Sequence, residues 1–329
     1  MDKEKKKAVL LINLGTPEAP TEEAVREYLR EFLSDPRVVT IPRFIWWFIL
    51  KFFVLRQRPK LSAKAYQKVW TEEGSPLMVN SKKVCVKLQQ LSNQKAPGQY
   101  EFFLSMRYGK PSIQNVLEDI KNHKLENLIV LPLYPQFAAS STGTALHAFD
   151  QALNKSNGAI QSSVIHDYHD NDVYITSLAN SIQKHWLAHG QGDCLLMSFH
   201  GVPERTIQQG DPYYSHCKKT AELLAGKLGL STKQWRLVFQ SRFGRAKWVQ
   251  PYCIEILQNL PNQGVNNIDI VCPGFAVDCL ETLEEIALQN KNVFLKAGGE
   301  QYQYIPALND SDEHINTLFS LVNDSSLRE

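Results

Sequence analysis

Eight short apolar runs punctuate this chain, at 8–14, 101–106, 127–133, 160–166, 194–199, 236–240, 267–272 and 301–305, and helical periodicity fills most of the gaps. Parallel sheet requires such alternation, because each strand needs a crossover helix before the next and is buried on both faces. The fold class is therefore α/β. The runs also repeat. Leu10-Leu-Ile-Asn-Leu-Gly15 echoes Leu195-Leu-Met-Ser-Phe-His200, and Ser105-Met-Arg107-Tyr108-Gly109 echoes Ser241-Arg242-Phe243-Gly244. The run ending Leu131-Pro132 echoes the one ending Cys272-Pro273. Matches of a few residues also arise by chance between short strands, but here their order is shared, which favours two similar lobes. The offset is 185 between Leu10 and Leu195 and 135 between Arg107 and Arg242, so the first half carries an insertion of about 50 residues.

A chain of 329 residues exceeds one ordinary core. The expected division is a first lobe over 1–168, with the insertion at about 36–75, and a second over 169–329 whose last helix is able to pack back on the first. A net charge of +2 gives no basic field, so nucleic acid is not an expected partner. The six cysteines, at 85, 194, 217, 253, 272 and 279, contain no C-x-x-C pair. They point to a reducing, cytoplasmic setting and to no zinc knuckle. The segment Phe44-Ile-Trp-Trp-Phe-Ile-Leu-Lys-Phe-Phe-Val-Leu55 has 11 apolar residues of 12. A helical span needs about 20, so it is too short to cross a bilayer.

In open parallel sheets ligands sit outside the carboxyl ends of the strands. Candidates there are Asn13–Pro17, Arg107 and Tyr108, Tyr134–Thr144, Phe199–Pro203, Arg242–Gly244 and Pro273–Glu281. No glycine-rich phosphate loop stands at any of them. His200 closes an apolar strand before Gly201-Val-Pro203, where an imidazole serves as base or metal ligand, or simply bonds a neighbouring loop. Beyond Cys272-Pro-Gly-Phe275, Asp278, Glu281 and Glu285 share one face of a helix if it has the ordinary 3.6-residue repeat. That column suits passage of a cation or protons; Asp278 with Glu281 also reads as a helix cap with its capping-box partner. Ser140-Ser141-Thr142-Gly143-Thr144 offers amides and hydroxyls to a substrate carboxylate, with Arg107 as a further donor, and is equally ordinary turn chemistry.

Six stretches in order then carry a resemblance over nearly the whole chain: Leu11-Ile-Asn-Leu-Gly-Thr-Pro17, Met106-Arg-Tyr-Gly109, Leu133-Tyr-Pro-Gln-Phe137 with Ser141-Thr-Gly-Thr144, Ser198-Phe-His-Gly-Val-Pro203, Gln240-Ser-Arg-Phe-Gly244 and Cys272-Pro-Gly-Phe-Ala-Val-Asp-Cys-Leu-Glu-Thr-Leu283. The chain resembles ferrochelatases of the bacterial type. The resemblance implies two Rossmann-like lobes, each a parallel sheet flanked by helices, with the active-site cleft between them. It implies insertion of ferrous iron into protoporphyrin IX with release of two protons, the terminal step of haem synthesis. His200 and Glu281 match the catalytic and metal-binding pair, and Asp278, Glu285 and Cys279 the metal or proton path. Leu14, Arg107, Tyr108, Tyr134, Ser141, Thr142, Trp248 and Phe275 match positions around the porphyrin. Segment 41–58, with Phe44, Trp46 and Trp47, matches an apolar lip expected to be partly exposed.

Iron is then a substrate and no cofactor is held permanently. No Cys follows Cys279, so the C-terminal iron–sulfur cluster of some relatives is expected to be absent. Cys279 stands where some members have His. The implied setting is cytoplasmic, with peripheral contact to the inner membrane or to a membrane-bound protoporphyrinogen oxidase. The competing readings are a chelatase for another tetrapyrrole, loading cobalt, nickel or iron into a more carboxylated ring, and a non-catalytic haem or porphyrin carrier.

Overall fold

The computed structural model describes residues 6–39, 41–155, 160–242, 244 and 246–326. The chain divides into two compact units: Met1–Tyr134, Ala138–Asp167 and Asp310–Glu329 form one, Pro135–Phe137 and Tyr168–Asn309 the other. All eight apolar runs are strands: β1 (Lys7–Asn13), β2 (Tyr100–Met106), β3 (Asn127–Pro132), β4 (Gln161–Val164), β5 (Cys194–His200), β6 (Trp235–Gln240), β7 (Asn267–Val271) and β8 (Gln301–Ile305). They make two parallel four-stranded sheets, ordered β2-β1-β3-β4 and β6-β5-β7-β8. Relative to its own first strand, each sheet has the same order.

The repetition extends past the strands. In the first unit the amide of Met106 donates to the carbonyl of Pro111, and in the second that of Phe239 donates to Pro251. Just beyond the register pairs Asn13↔Met106 and His200↔Gln240, Arg107 N–H donates to Asn13 O (2.7 Å) and Gly201 N–H donates to Gln240 O (2.8 Å). The loops at the carboxyl ends are thus tied strand to strand in both units.

Burial explains the apolar runs. Ala8, Leu10 and Ile12 of β1 and Leu128 and Val130 of β3 pack on Ile113, Val116, Leu117 and Ile120. These four sit at i, i+3, i+4 and i+7 of a helix whose cap, Ser112, accepts from Asn115 N–H. The positions face the sheet because the helical repeat brings them to one stripe. Leu117→Ala would cost about 2–5 kcal/mol. In the second unit Leu196, Val238, Ile268 and Ile270 pack with Leu257 and Phe294.

The C-terminal helix Asp312–Ser326 belongs to the first unit, the lobe on which the sequence reading allowed the last helix to pack back. Lys95 Nζ reaches Asn316 (2.8 Å), Lys87 Nζ reaches Asp310 (3.1 Å), and Phe319 meets the edge of Tyr100.

The first unit's insertion follows α1 (Glu22–Ser34) as α2 (Arg43–Ile49), a π-helical turn (Leu50–Val54) and α3 (Leu55–Val69). Phe44 is 85% and Trp47 54% exposed, and Ile45, Phe48 and Phe53 are also on the surface. Trp46 corrects the expectation of an exposed lip residue. It is buried, because its indole N–H donates to the carbonyl of Leu33 at the end of α1 (2.6 Å). Only one of the adjacent tryptophans faces water.

Candidate active site

His200 ends β5, and its Nδ1 lies 2.8 Å from the carbonyl oxygen of Gly201. That pairing assigns the proton to Nδ1 in the neutral ring and leaves Nε2 as the acceptor or ligand. The turn that follows requires glycine. A Cβ at Gly201 would lie 2.9 Å from Gln240 O and 3.1 Å from Trp248 Cε3. Val249 N–H also donates to Val202 O, holding Trp248 against the turn beyond His200. The buried Trp248 Nε1 has no hydrogen-bond partner among the described residues.

The acidic segment departs from the expected α-helix. Glu281–Asn290 is a π-helix. Its bonds run i→i+5, so a turn takes more than 3.6 residues and the projected i, i+3, i+7 column does not apply. Asp278 precedes the helix and is not its cap, since Leu280 occupies that position without a side-chain bond. Its carboxylate instead accepts from Tyr304 OH (2.5 Å), Asn309 Nδ2 (2.7 Å), Thr282 Oγ1 (2.9 Å) and Ala307 N–H (3.3 Å). Four donors from three parts of the unit make this buried group an anchor for the start of the π-helix. The capping-box reading fails for the same reason, as Asp278 bonds the Thr282 hydroxyl and strand-end groups rather than orphan helix amides.

Glu285 accepts from Ser241 N–H (2.8 Å) and from the Ser241 hydroxyl. Ser241 holds a left-handed backbone at φ 64°, uncommon for a residue with a Cβ, and there both its donors meet one carboxylate. Burial pushes the Glu285 carboxyl up; the Ser241 hydroxyl and the nearby His200 oppose that rise, and Glu281 adds to it. Glu281, Glu285 and His200 are therefore electrostatic neighbours. Cys279 is buried, and its thiol is pushed well up by burial and then by Glu281. A thiol so held is a poor thiolate ligand. Phe275 packs at the margin of the second unit's core. Arg242 lies over the Tyr252 ring, 4.7 Å to the centroid, and Phe243 lies outside the described residues.

The first unit gathers a different set at its strand ends. Leu14 O accepts from Tyr108 N–H (2.9 Å), joining the loops after β1 and β2. Gly15 between them, at φ 109°, admits no side chain, because a Cβ would lie 1.9 Å from Tyr108 O. The Arg107 guanidinium sits 4.2 Å from the Tyr108 ring centroid. The Tyr134 hydroxyl is buried without a hydrogen-bond partner among the described residues, and its ionisation is pushed well up by burial. Thr142 opens the helix Thr142–Lys155 fully buried, while Ser141 is half-buried and gives its carbonyl to the Thr144 hydroxyl (3.0 Å).

Residues 6–326 match the sequence profile of the family described as Ferrochelatase. The chain belongs to the ferrochelatase family. A relative from Methylococcus capsulatus named Ferrochelatase is 51% identical over 315 residues, 95% of each chain. One from Shewanella oneidensis, named Ferrochelatase 2, is 51% identical over 318 residues, 96% of this chain and 97% of its own. Among solved structures, SirB from Bacillus subtilis with Fe3+ has a TM-score of 0.58 at 12% identity and covers 97% of this chain and 95% of its own. That likeness is one of fold. This ferrochelatase-family chain thus carries His200 and the acidic π-helix on the second unit and an arginine–aromatic group on the first.

Sequence reasoning named His200, Glu281 and Glu285, and in the structure His200 and Glu281 both act electrostatically on Glu285. It missed Ser241, Tyr304, Asn309 and Asp35. Ser241 stood inside a quoted strand-end stretch, but its left-handed backbone leaves no mark in the residue type. Tyr304 and Asn309 reach Asp278 from 26 and 31 residues away, which no local pattern encodes.

Proposed function

We propose that this member of the family inserts ferrous iron into protoporphyrin IX, releasing two protons. A planar porphyrin turns its four nitrogens toward its own centre, so an approaching cation meets no lone pair until the ring is bent. Binding energy at the periphery of the ring supplies that distortion. Leu14, Arg107, Tyr108, Tyr134, Trp248 and Phe275 are the residues assigned to hold the ring, with Ser141 assisting its carboxylates and Thr142 shaping the loop. Nε2 of His200 takes a proton or meets iron, and Glu281 and Glu285 carry the complementary cation or proton traffic. Asp278 serves that path by fixing the π-helix, and Cys279 by packing beside Glu281.

The observation that carries this reading is the neighbourhood of His200 and two carboxylates on a π-helix, one of them raised by burial, in a chain that matches the family over 6–326. A haem carrier needs one axial ligand and gains nothing from carboxylates beside it. The apolar surface at Phe44, Trp47 and Phe53 favours a ring with few carboxylates and supports peripheral contact with a membrane from which such a ring is delivered. No helix among the described residues is long and apolar enough to cross a membrane. We assign the chain to the cytoplasm, with iron as substrate and no resident cluster.

The test is anaerobic incubation of the protein with ferrous iron and protoporphyrin IX, followed by the loss of porphyrin fluorescence and the rise of haem absorbance. Coproporphyrin, and cobalt or nickel in place of iron, run in parallel. Faster turnover of protoporphyrin with iron supports the assignment; preference for another ring or metal moves it to the corresponding chelatase, and porphyrin binding without insertion makes the chain a carrier.

A further inference from the structure

Asp35 is absent from every stretch that marks the family in this sequence, yet it lies at the centre of the first unit's strand-end group. It follows the last residue of α1, is 8% exposed, and its amide closes that helix on Phe32 O. Its carboxylate receives three donors: the Arg107 guanidinium, the Tyr108 hydroxyl (3.0 Å) and the amide of Arg37 (2.8 Å). Arg107 and Tyr108 share the oxygen Oδ2, and the guanidinium lies over the face of that same Tyr108.

The neighbouring turns of α1 hold the same loop. Phe32 meets the Tyr108 ring edge-on at 5.1 Å, the Glu31 carboxylate accepts from Gly109 N–H (2.9 Å), and Tyr28 OH donates to Gly15 O (3.2 Å). Packing alone would place the tyrosine. The orientation of a flexible arginine is another matter, because four rotatable bonds precede its fork. A buried carboxylate on one side and an aromatic face beneath fix the plane of the guanidinium.

We propose that Asp35 is a positioning residue for porphyrin recognition, acting through Arg107 and Tyr108. It orients the Arg107 fork toward a carboxylate on the ring periphery, and it lowers the cost of ordering that side chain on binding. Asp35 also compensates the arginine's charge, so the pair recognises by direction rather than by bare positive potential. This inference rests on the assignment of Arg107 to the porphyrin.

The experiment compares the parent with Asp35→Asn, Arg107→Gln and the double variant. KM and kcat for protoporphyrin IX are measured, together with porphyrin affinity by fluorescence quenching and folding by thermal melting. Asn keeps the shape of Asp35 but loses the charge that pairs with arginine. Each single variant should raise KM and Kd about tenfold with kcat within about twofold, and the double variant should be no worse than Arg107→Gln alone. Tyr108→Phe removes one donor to Asp35 while keeping the ring. It should raise KM less than Asp35→Asn does, and it carries the test if Asp35→Asn does not fold. A folded Asp35→Asn protein with the parent's KM, while Arg107→Gln raises it, overturns the positioning role and leaves Arg107 as a porphyrin contact. Additive effects in the double variant also overturn it. Parent-like KM in both single variants overturns the positioning role and the Arg107 assignment together.

Discussion

The two units share a strand order and the same ties between the loops after their first two strands, yet what those loops carry differs. After β1 and β2 come the half-buried Leu14 and Arg107 and the buried Tyr108, with the Arg107 guanidinium and the Tyr108 hydroxyl both bonded to Asp35. After β5 and β6 come His200 and Ser241, and Ser241 fixes Glu285 of the π-helix. The scaffold dictates where side chains emerge and leaves their chemistry open. In our account proton and metal exchange belong to the second unit, and the arginine-directed part of ring recognition belongs to the first.

That division breaks most visibly at Glu281. Glu281→Gln should lower turnover about a hundredfold or more while leaving porphyrin affinity near the parent's, measured by stopped-flow insertion and fluorescence titration. A variant that lost affinity instead would make Glu281 itself part of ring recognition. Asp278→Asn sharpens the same boundary from the structural side. Replacing a carboxylate that accepts four hydrogen bonds should cost about 2 kcal/mol in urea unfolding, with activity falling in step. Loss of activity at unchanged stability would return Asp278 to the proton path.

Glu285 gives a pH-dependent contrast. Its pKa is raised above the ordinary 4.5, so the folded protein holds a proton that the unfolded chain releases. Its contribution to stability therefore declines as pH rises from about 4.5 through the raised value. Glu285→Gln cannot ionise, so unfolding curves at successive pH values should show the variant gaining on the parent as pH increases through that window. A constant difference would mean the carboxyl is not raised.

The smallest effect separates the adjacent tryptophans of the insertion. Trp46→Phe should cost about 1 kcal/mol through its lost bond to Leu33 O, whereas Trp47→Phe should leave thermal stability unchanged. Fluorescence of the Trp46→Phe protein should shift when lipid vesicles are added, because Trp47 faces solvent. No shift would remove the membrane contact.

The sequence carried much of this organisation for physical reasons. A parallel strand buried on both faces must be apolar almost throughout, which made β1, β3 and β5 readable; β4, Gln161-Ser-Ser-Val164 and largely exposed at the sheet edge, showed only through its apolar flanks. The identical order of Leu10 to Pro132 and Leu195 to Pro273 exposed the repeated architecture. His200 stood out at the end of an apolar strand, where a structural histidine fits equally well, and the ordered set of family stretches singled it out. The π-helix was not, since Asp278, Glu281 and Glu285 fit an ordinary helical repeat as well. Neither was the burial of Trp46, because Trp46 and Trp47 are identical in type and only the carbonyl of Leu33 tells them apart. Asp35 shows the same limit: Arg107 and Tyr108, the partners that give it a role, are more than 70 residues away.

The most direct test of the division is His200→Ala, assayed anaerobically for iron insertion into protoporphyrin IX and, in the same preparation, for porphyrin affinity. The account predicts a folded protein that binds porphyrin with an affinity close to the parent's and inserts iron at least about a hundredfold more slowly. Insertion at the parent's rate in a folded His200→Ala protein would contradict it.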